Sequence, residues 1–261
     1  MKKILLTGAG GFIGNRTFEL LKEKYAIKRM YENTLRLDDP EFYLDFDFDY
    51  DYIIHLGAEA GVRRSHEQPE LFYRHNVDAF RSVMTYADDM VSHPRVIYAS
   101  SSSIYEWWKS PYATTKKMNE LMVENNYDYL GLRFHTVYGP NSRKDMFFDA
   151  MLRGDIKTIN SKMHRDWTHV DDVVSAIEIC IEKFDSLALH GAIDVGCGEP
   201  TNVKEMVERW RPDLISKLHF NDHIPEGERP DTCADPTLLK NHGWRPKYHI
   251  MRDDMSCYAK V

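Results

Sequence analysis

A glycine triplet set between a short apolar run and an amphipathic one restricts this chain more than any other feature. Residues 3–7 read as a buried strand, and residues 12–24 read as a helix carrying Phe12, Ile13, Phe18, Leu20 and Leu21 between polar positions. The joint is Gly8-Ala9-Gly10-Gly11-Phe12-Ile13-Gly14, with glycines at 8, 11 and 14 in a G-x-x-G-x-x-G spacing instead of G-x-G-x-x-G. A backbone without Cβ turns tightly and lets a pyrophosphate come close. The helix N-terminus behind it offers free N–H groups and the positive end of a dipole to an anion. A glycine triplet alone serves equally well as a structural turn. Its place after the first strand of an alternating pattern predicts a dinucleotide site.

The alternation continues along the chain. Residues 26–31 read as a second strand, although Lys28 and Arg29 make it untidy. Acidic and aromatic residues alternate through 33–50, a pattern open to either a half-exposed strand or a solvated loop. Tyr52 to Leu56 is a buried strand that stops at Gly57, and a helix follows over 69–91. Arg95 to Ala99 is a strand running into Ser100-Ser101-Ser102-Ser103, and a helix over 112–126 has Pro111 just before its first turn. Strand 129–134, helix 171–181 and strand 192–195 complete the pattern. Strands alternating with helices predict an α/β chain built on a Rossmann-type, doubly wound parallel sheet covered on both faces. A small mixed α/β C-terminal substrate-binding region is expected beside it. The expected division gives residues 1–140, with a return segment near 166–196, to the dinucleotide domain. Residues from about 141 to 165 and 197 to 261 go to the substrate region.

Composition narrows the partners. The chain has 261 residues, enough for one such domain with an addition and too few for two large ones. A formal net charge of −7 argues against a general nucleic-acid binder, while a local basic pocket still accommodates an anionic substrate. Cys180, Cys197, Cys233 and Cys257 form no C-x-x-C pair and have no histidine at zinc spacing, so reduced thiols and no metal site are expected. The apolar run at the N-terminus is short and broken by glycines, and nothing approaches the roughly 20 apolar residues that span a bilayer. A cytoplasmic protein without a membrane partner is expected.

Tyr112-Ala113-Thr114-Thr115-Lys116 is a Y-x-x-x-K whose two ends share one helix face. A free tyrosine, with a pKa of about 10, is a poor base at neutral pH. A nearby ammonium or a positively charged nicotinamide favours its phenolate. A serine at the end of the preceding strand is placed to hydrogen-bond the oxygen that Tyr112 would deprotonate. Each element alone is commonplace, as a surface pair or a capped loop. For the adenosine ribose, Glu32, 18 residues after Gly14, is the candidate acid and favours NAD. Arg16, Lys28 and Arg29 leave NADP open.

In this order, the motifs resemble the extended short-chain dehydrogenase/reductases, specifically the nucleotide-sugar epimerases and dehydratases. The resemblance runs nearly end to end. It covers 7–14, His55 to Arg63, Tyr98 to Tyr105, 112–116, Leu132 to Pro140, Arg165 to Asp172, Asp194 to Pro200 and Asp231 to Asp235. Ala60-Gly61-Val62-Arg63 and Arg143-Lys144-Asp145-Met146 look most like UDP-glucuronate 4-epimerases. The resemblance implies Ser101, Tyr112 and Lys116 as catalytic residues. It implies Gly8, Gly11, Phe12, Ile13, Gly14, Glu32, Leu56, Gly57, Ala58 and Asn76, with Tyr112 and Lys116, around NAD. It implies Ser102, Arg143, Arg165 and Arg229 at a nucleotide-sugar substrate, UDP-linked, and a homodimer. Dehydratases of this family carry Asp-Glu after the catalytic Ser/Thr, where this chain has Ser102-Ser103, which favours a 4-epimerase. An NADP-dependent nucleotide-sugar reductase or dehydratase and a catalytically degraded dinucleotide-binding protein are the alternatives. The chain departs from the family pattern in three places. Only six residues separate Tyr105 from Tyr112, the stretch from Glu32 to Tyr52 is short, and over 225–229, where many epimerases supply a second phosphate-binding arginine earlier in the motif, only Arg229 is available. The first departure brings Trp107 and Trp108 beside the site, either to stack on a ring or to cover core.

Overall fold

Strand β1 (Lys3–Thr7) is the second of six in the larger sheet. It pairs in parallel with β2 (Ala26–Met30) on one side and with β3 (Tyr52–His55) on the other, Thr7 lying level with both Met30 and His55. A computed structural model describes residues 1–30, 49–224, 227–254 and 258. Beyond β3 the order continues with β4 (Arg95–Ser101), β5 (Tyr129–Phe134) and β9 (Ala192–Val195). All four residues of β3 are buried, as expected of a strand covered on both faces. One face packs Leu5, Ile53, Val96 and Tyr98 against Phe80, Val83 and Ala87. Because β1 has β2 and β3 on opposite sides, a crevice opens beyond the C-terminal ends of β1 and β3, where doubly wound sheets bind ligands.

The chain divides into two compact units, Met1–Arg133 with Ile177–Ile193, and Phe134–Ala176 with Asp194–Val261. The first unit carries helices α1 (Phe12–Leu21), α2 (Val62–Glu67), α3 (Pro69–Tyr73), α4 (Ala79–Asp89) and α5 (Pro111–Met122). The second holds a three-stranded sheet in which β8 (His164–His169) lies between β6 (Thr136–Tyr138) and β10 (Pro200–Asn202). A second pair joins β7 (Thr158–Asn160) to β11 (His219–Asn221). Its core gathers Tyr138, Phe148, Trp167, Met206 and Trp210.

Three predicted helices differ from those observed. The span 69–91 is not one helix, because a π-helical turn, Arg74–Asp78, separates α3 from α4. The wider turn brings both His75 and Asn76 inward, at 6% and 0% exposure. The helix predicted over 112–126 ends at Met122, and the chain then turns through Asn125 at a φ of 63°, a left-handed conformation that asparagine tolerates. The helix predicted over 12–24 ends at Leu21, whose carbonyl accepts from the N–H groups of both Lys24 and Tyr25. Residues 31–48, which include Glu32 and all but the last two residues of the acidic–aromatic stretch 33–50, lie outside the described residues.

Candidate active site

The crevice floor is backbone packed on backbone. Gly8 has a φ of 67°, and a Cβ there would lie 2.5 Å from the Gly57 nitrogen. A Cβ on Gly14 would overlap the Gly8 carbonyl oxygen. Only glycine fits either position, so these two glycines are demanded by close approach as well as by the turn. Gly11 enters α1 in an extended conformation, and its N–H donates to the Gly8 carbonyl at 2.9 Å. The N-cap Gly11 has no side chain to cap α1 and no acid sits in its first turn, so the positive end of the helix at Phe12, Ile13 and Gly14 is not neutralised by its own residues.

Thr7 and His55, level on adjacent strands, hold the other side of the floor. The Thr7 hydroxyl lies 2.8 Å from His55 Nδ1 and accepts the Gly57 N–H at 3.2 Å. Burial, followed by the charge of Lys116, pushes the His55 imidazole down to about 3, so the ring is neutral. Leu56 and Ala58 flank Gly57 half-buried, while Gly57 itself is buried.

Asn76 is completely buried and joins the next loop to α5. Its Oδ1 accepts the Glu59 N–H at 2.8 Å. Its Nδ2 donates to the Glu59 carbonyl at 3.1 Å and to the Thr115 hydroxyl at 3.0 Å. Both amide protons are thus used inside the protein. The loop ends at Gly61, whose φ of 130° starts α2.

Strand β4 and helix α5 bring the Ser101, Tyr112 and Lys116 region together. The extended Ser110 caps α5 by accepting the Ala113 N–H at 3.2 Å, and Pro111 fills the first turn, where no N–H is needed. Tyr112 follows, half-buried, with its ring edge-on to Phe72 at 6.1 Å. One turn on, Lys116 is 3% exposed and its Nζ donates to the Ala99 carbonyl of β4 at 2.9 Å. Burial pushes its ammonium down to about 8. Ser101 closes β4 at 6% exposure, and its Oγ accepts the Ser103 N–H at 3.2 Å. Ser102 is buried beside it.

The connection between Ser101 and Tyr112 is a 3₁₀ segment, Ser102–Lys109, kinked at Glu106. Trp107 and Trp108 on it are 42% and 64% exposed and meet edge to face at 6.1 Å.

In the second unit Arg165 is largely buried on β8. Its guanidinium donates to the His164 and Pro230 carbonyls, both at 2.9 Å, and pairs with Glu228 at 3.1 Å. Desolvation lowers its pKa from the ordinary value, opposed by Glu228, and Arg229 is near enough to add repulsion. Arg143 is exposed and forks onto Asp145 through Nε at 3.0 Å and Nη2 at 3.1 Å.

Sequence reasoning met Asp166 only as part of a motif, yet it organises this unit. Fully buried, it accepts the N–H groups of Cys197, Gly198 and Ala234 at 3.0, 2.8 and 2.9 Å. A Cβ on Gly196 would lie 2.9 Å from its Oδ2.

Known proteins give this geometry its context. The model of the NAD-dependent epimerase/dehydratase family matches residues 4–196. An uncharacterized protein of Methanocaldococcus jannaschii is 31% identical, over 95% of this chain and 93% of its own. That alignment runs to 314 positions although this chain has 261 residues, so the relative carries insertions within the matched span. UDP-glucuronate 4-epimerase 4 of Arabidopsis thaliana is 28% identical, over 93% of this chain and 71% of its own. In fold, the chain resembles a mutant UDP-glucuronic acid 4-epimerase of Bacillus cereus, crystallised with UDP-4-deoxy-4-fluoro-glucuronic acid and NAD. That likeness has a TM-score of 0.78 at 23% identity and covers 95% of each chain. The glycine-floored crevice, the serine-ended strand on the Y-x-x-x-K helix and the family match over residues 4–196 agree: the chain belongs to the NAD-dependent epimerase/dehydratase family.

Proposed function

We propose that the chain is a nucleotide-sugar 4-epimerase acting on a UDP-linked sugar. The observation that carries this reading is the Lys116–Ala99 bond, which seats the Tyr112 helix on the strand that ends in Ser101. The glycine floor fits NAD, because Gly8 and Gly14 pack on the backbone of Gly57 and Gly8 with no room for a side chain, a close turn that presents the α1 N-terminus to a pyrophosphate. In this reading Gly8, Gly11, Phe12, Ile13 and Gly14 hold the pyrophosphate, and Leu56, Gly57 and Ala58 line the crevice. Asn76 positions the Glu59 loop, since its amide is already committed. NAD, when bound, supplies reversible hydride exchange at C4 of the sugar. Tyr112 removes the proton of the 4-hydroxyl and later returns it. Ser101 steadies that oxygen, and Ser102 borders it. The Lys116 ammonium favours the phenolate and binds the nicotinamide ribose. Arg143, Arg165 and Arg229, in the region of 141–165 and 197–261, hold the diphosphate, a task suited to guanidinium forks. Ser102-Ser103 supplies no acid to expel water, which disfavours dehydration.

The test is chromatography of products after incubating NAD-loaded protein with UDP-glucuronate, UDP-glucose and UDP-N-acetylglucosamine. The expected outcome is a 4-epimer without net NADH. Tyr112→Phe should lower kcat by about 10³-fold while nucleotide stays bound. Stoichiometric NADPH consumption, or near-normal turnover by Tyr112→Phe, would overturn the reading.

A further inference from the structure

We propose that Glu120 is a positioning residue that sets the spacing between Ser101 and Tyr112, which rests on the catalytic roles proposed for that pair and Lys116. Tyr112, Lys116 and Glu120 stand one turn apart on α5, at i, i+4 and i+8. The last residues of β4 meet this stripe in order. The Ala99 carbonyl accepts from Lys116 Nζ at 2.9 Å, and the Ser100 hydroxyl donates to Glu120 Oε1 at 2.6 Å. Two consecutive strand residues are thereby tied to two consecutive helical turns. Ser101 is the next residue of the strand and Tyr112 lies one turn back along the helix. Their relative position is therefore set by two bonds, one of them through Glu120.

The carboxylate is held from a third element. Arg133, the last residue of the first unit in β5, donates from Nε to Oε1 at 2.9 Å and from Nη2 to Oε2 at 2.8 Å. Glu120 is 8% exposed, so its charge is almost wholly out of water and depends on that fork. The same guanidinium lies 5.5 Å from the centre of the Tyr105 ring, in the connector between Ser101 and Tyr112. One carboxylate thus gathers β4, α5 and β5, and its partner touches the short connector. A buried ion pair is weak evidence for stability, since apolar residues of similar volume often hold a fold as well or better. Directional bonds to a hydroxyl and a guanidinium supply what apolar packing lacks, a fixed distance. Reaction rates are sensitive to errors of that kind, about 10²-fold for a misplacement of roughly 1 Å.

The test is the charge-neutral double variant Glu120→Met/Arg133→Met, compared with wild type and Glu120→Gln in NAD-loaded protein. The double variant should keep a thermal midpoint near that of wild type, because the pair is replaced as a unit. Its kcat should nevertheless fall about tenfold or more with KM for the UDP-sugar within about twofold. The ionisation of Tyr112, read as the phenolate absorbance missing from Tyr112→Phe, should shift upward by about one pH unit as Ser101 and Lys116 lose their register. This spectroscopic readout needs no substrate, so it stands if the wild type turns over none of the UDP-sugars and the proposed function fails. A folded double variant with wild-type kcat, or one whose Tyr112 ionisation is unmoved, would overturn the positioning role. Should the double variant unfold, Glu120→Gln carries the same two readouts, and an unchanged kcat or an unmoved Tyr112 ionisation there overturns the role equally.

Discussion

Consider Lys116→Met, a swap that keeps an unbranched side chain and removes the ammonium. Lys116 is 3% exposed, and burial lowers its pKa from 10.5 to about 8. At about 1.4 kcal/mol per pH unit between the two values, holding it charged costs the fold roughly 3 kcal/mol at neutral pH. The bond from Nζ to the Ala99 carbonyl returns about 1.5 kcal/mol. Methionine removes both contributions, which leaves a net stabilisation of about 1–2 kcal/mol and a rise in thermal midpoint of about 3–6 °C. The sign of the pH dependence follows from the direction of the shift. The folded value lies below the unfolded one, so the penalty is complete below about pH 8. It fades as pH rises toward 10.5, where neither state keeps the proton. Thermal unfolding of nucleotide-free wild type and variant should therefore show the variant furthest ahead near pH 7 and the order reversed by about pH 10, where the lost bond to the Ala99 carbonyl outweighs the faded penalty. In the proposed mechanism turnover should fall by about 10²-fold or more, because the ammonium that would favour the Tyr112 phenolate is gone. A variant less stable than wild type at pH 7, or a gap constant from pH 7 to 10, would show that burial of the ammonium does not carry this cost.

Three further substitutions test the scaffold. Gly14→Ala places a methyl on the Gly8 carbonyl, and it should destabilise by about 1–3 kcal/mol in thermal denaturation and abolish NAD retention on gel filtration. Unchanged NAD retention would show that the crevice floor tolerates rearrangement. Asp166→Asn sets an NH2 against the Cys197 N–H in one orientation or against the Gly198 and Ala234 N–H groups in the other, and should destabilise the protein by about 2–4 kcal/mol, read as a lower urea midpoint. Asn76→Ala strips the Glu59 N–H and the Thr115 hydroxyl of their partner and should cost about 2 kcal/mol in the same assay; an unmoved midpoint would contradict the bracing role.

The parts of the molecule that could be read from sequence are those whose physics is local. Gly8 and Gly14 advertise close backbone approach, β3 is apolar at every position but its last, and Ser110-Pro111 marks the start of α5 by residue type alone. The π turn is different in kind. Residues 69–91 carry a continuous helical pattern, and the wider turn follows from what His75 and Asn76 meet inside the protein. Asp166 and Glu120 escaped for the same reason. Each is an ordinary acid in sequence, and each gains its role from partners far along the chain, at Cys197, Gly198 and Ala234 for one and at Ser100 and Arg133 for the other. The end of α5 also depended on conformation, since nothing before Asn125 signals that the chain there adopts a positive φ.

The shortened connector has a practical consequence. The chain has five tryptophans, and Trp167, Trp210 and Trp244 are at most 3% exposed. Trp107 and Trp108, 42% and 64% exposed, belong to the few residues that lead from Ser101 to Tyr112. An aqueous quencher such as acrylamide therefore extinguishes the emission of the connector while leaving that of the interior. Intrinsic fluorescence can then follow this one segment in the unlabelled protein.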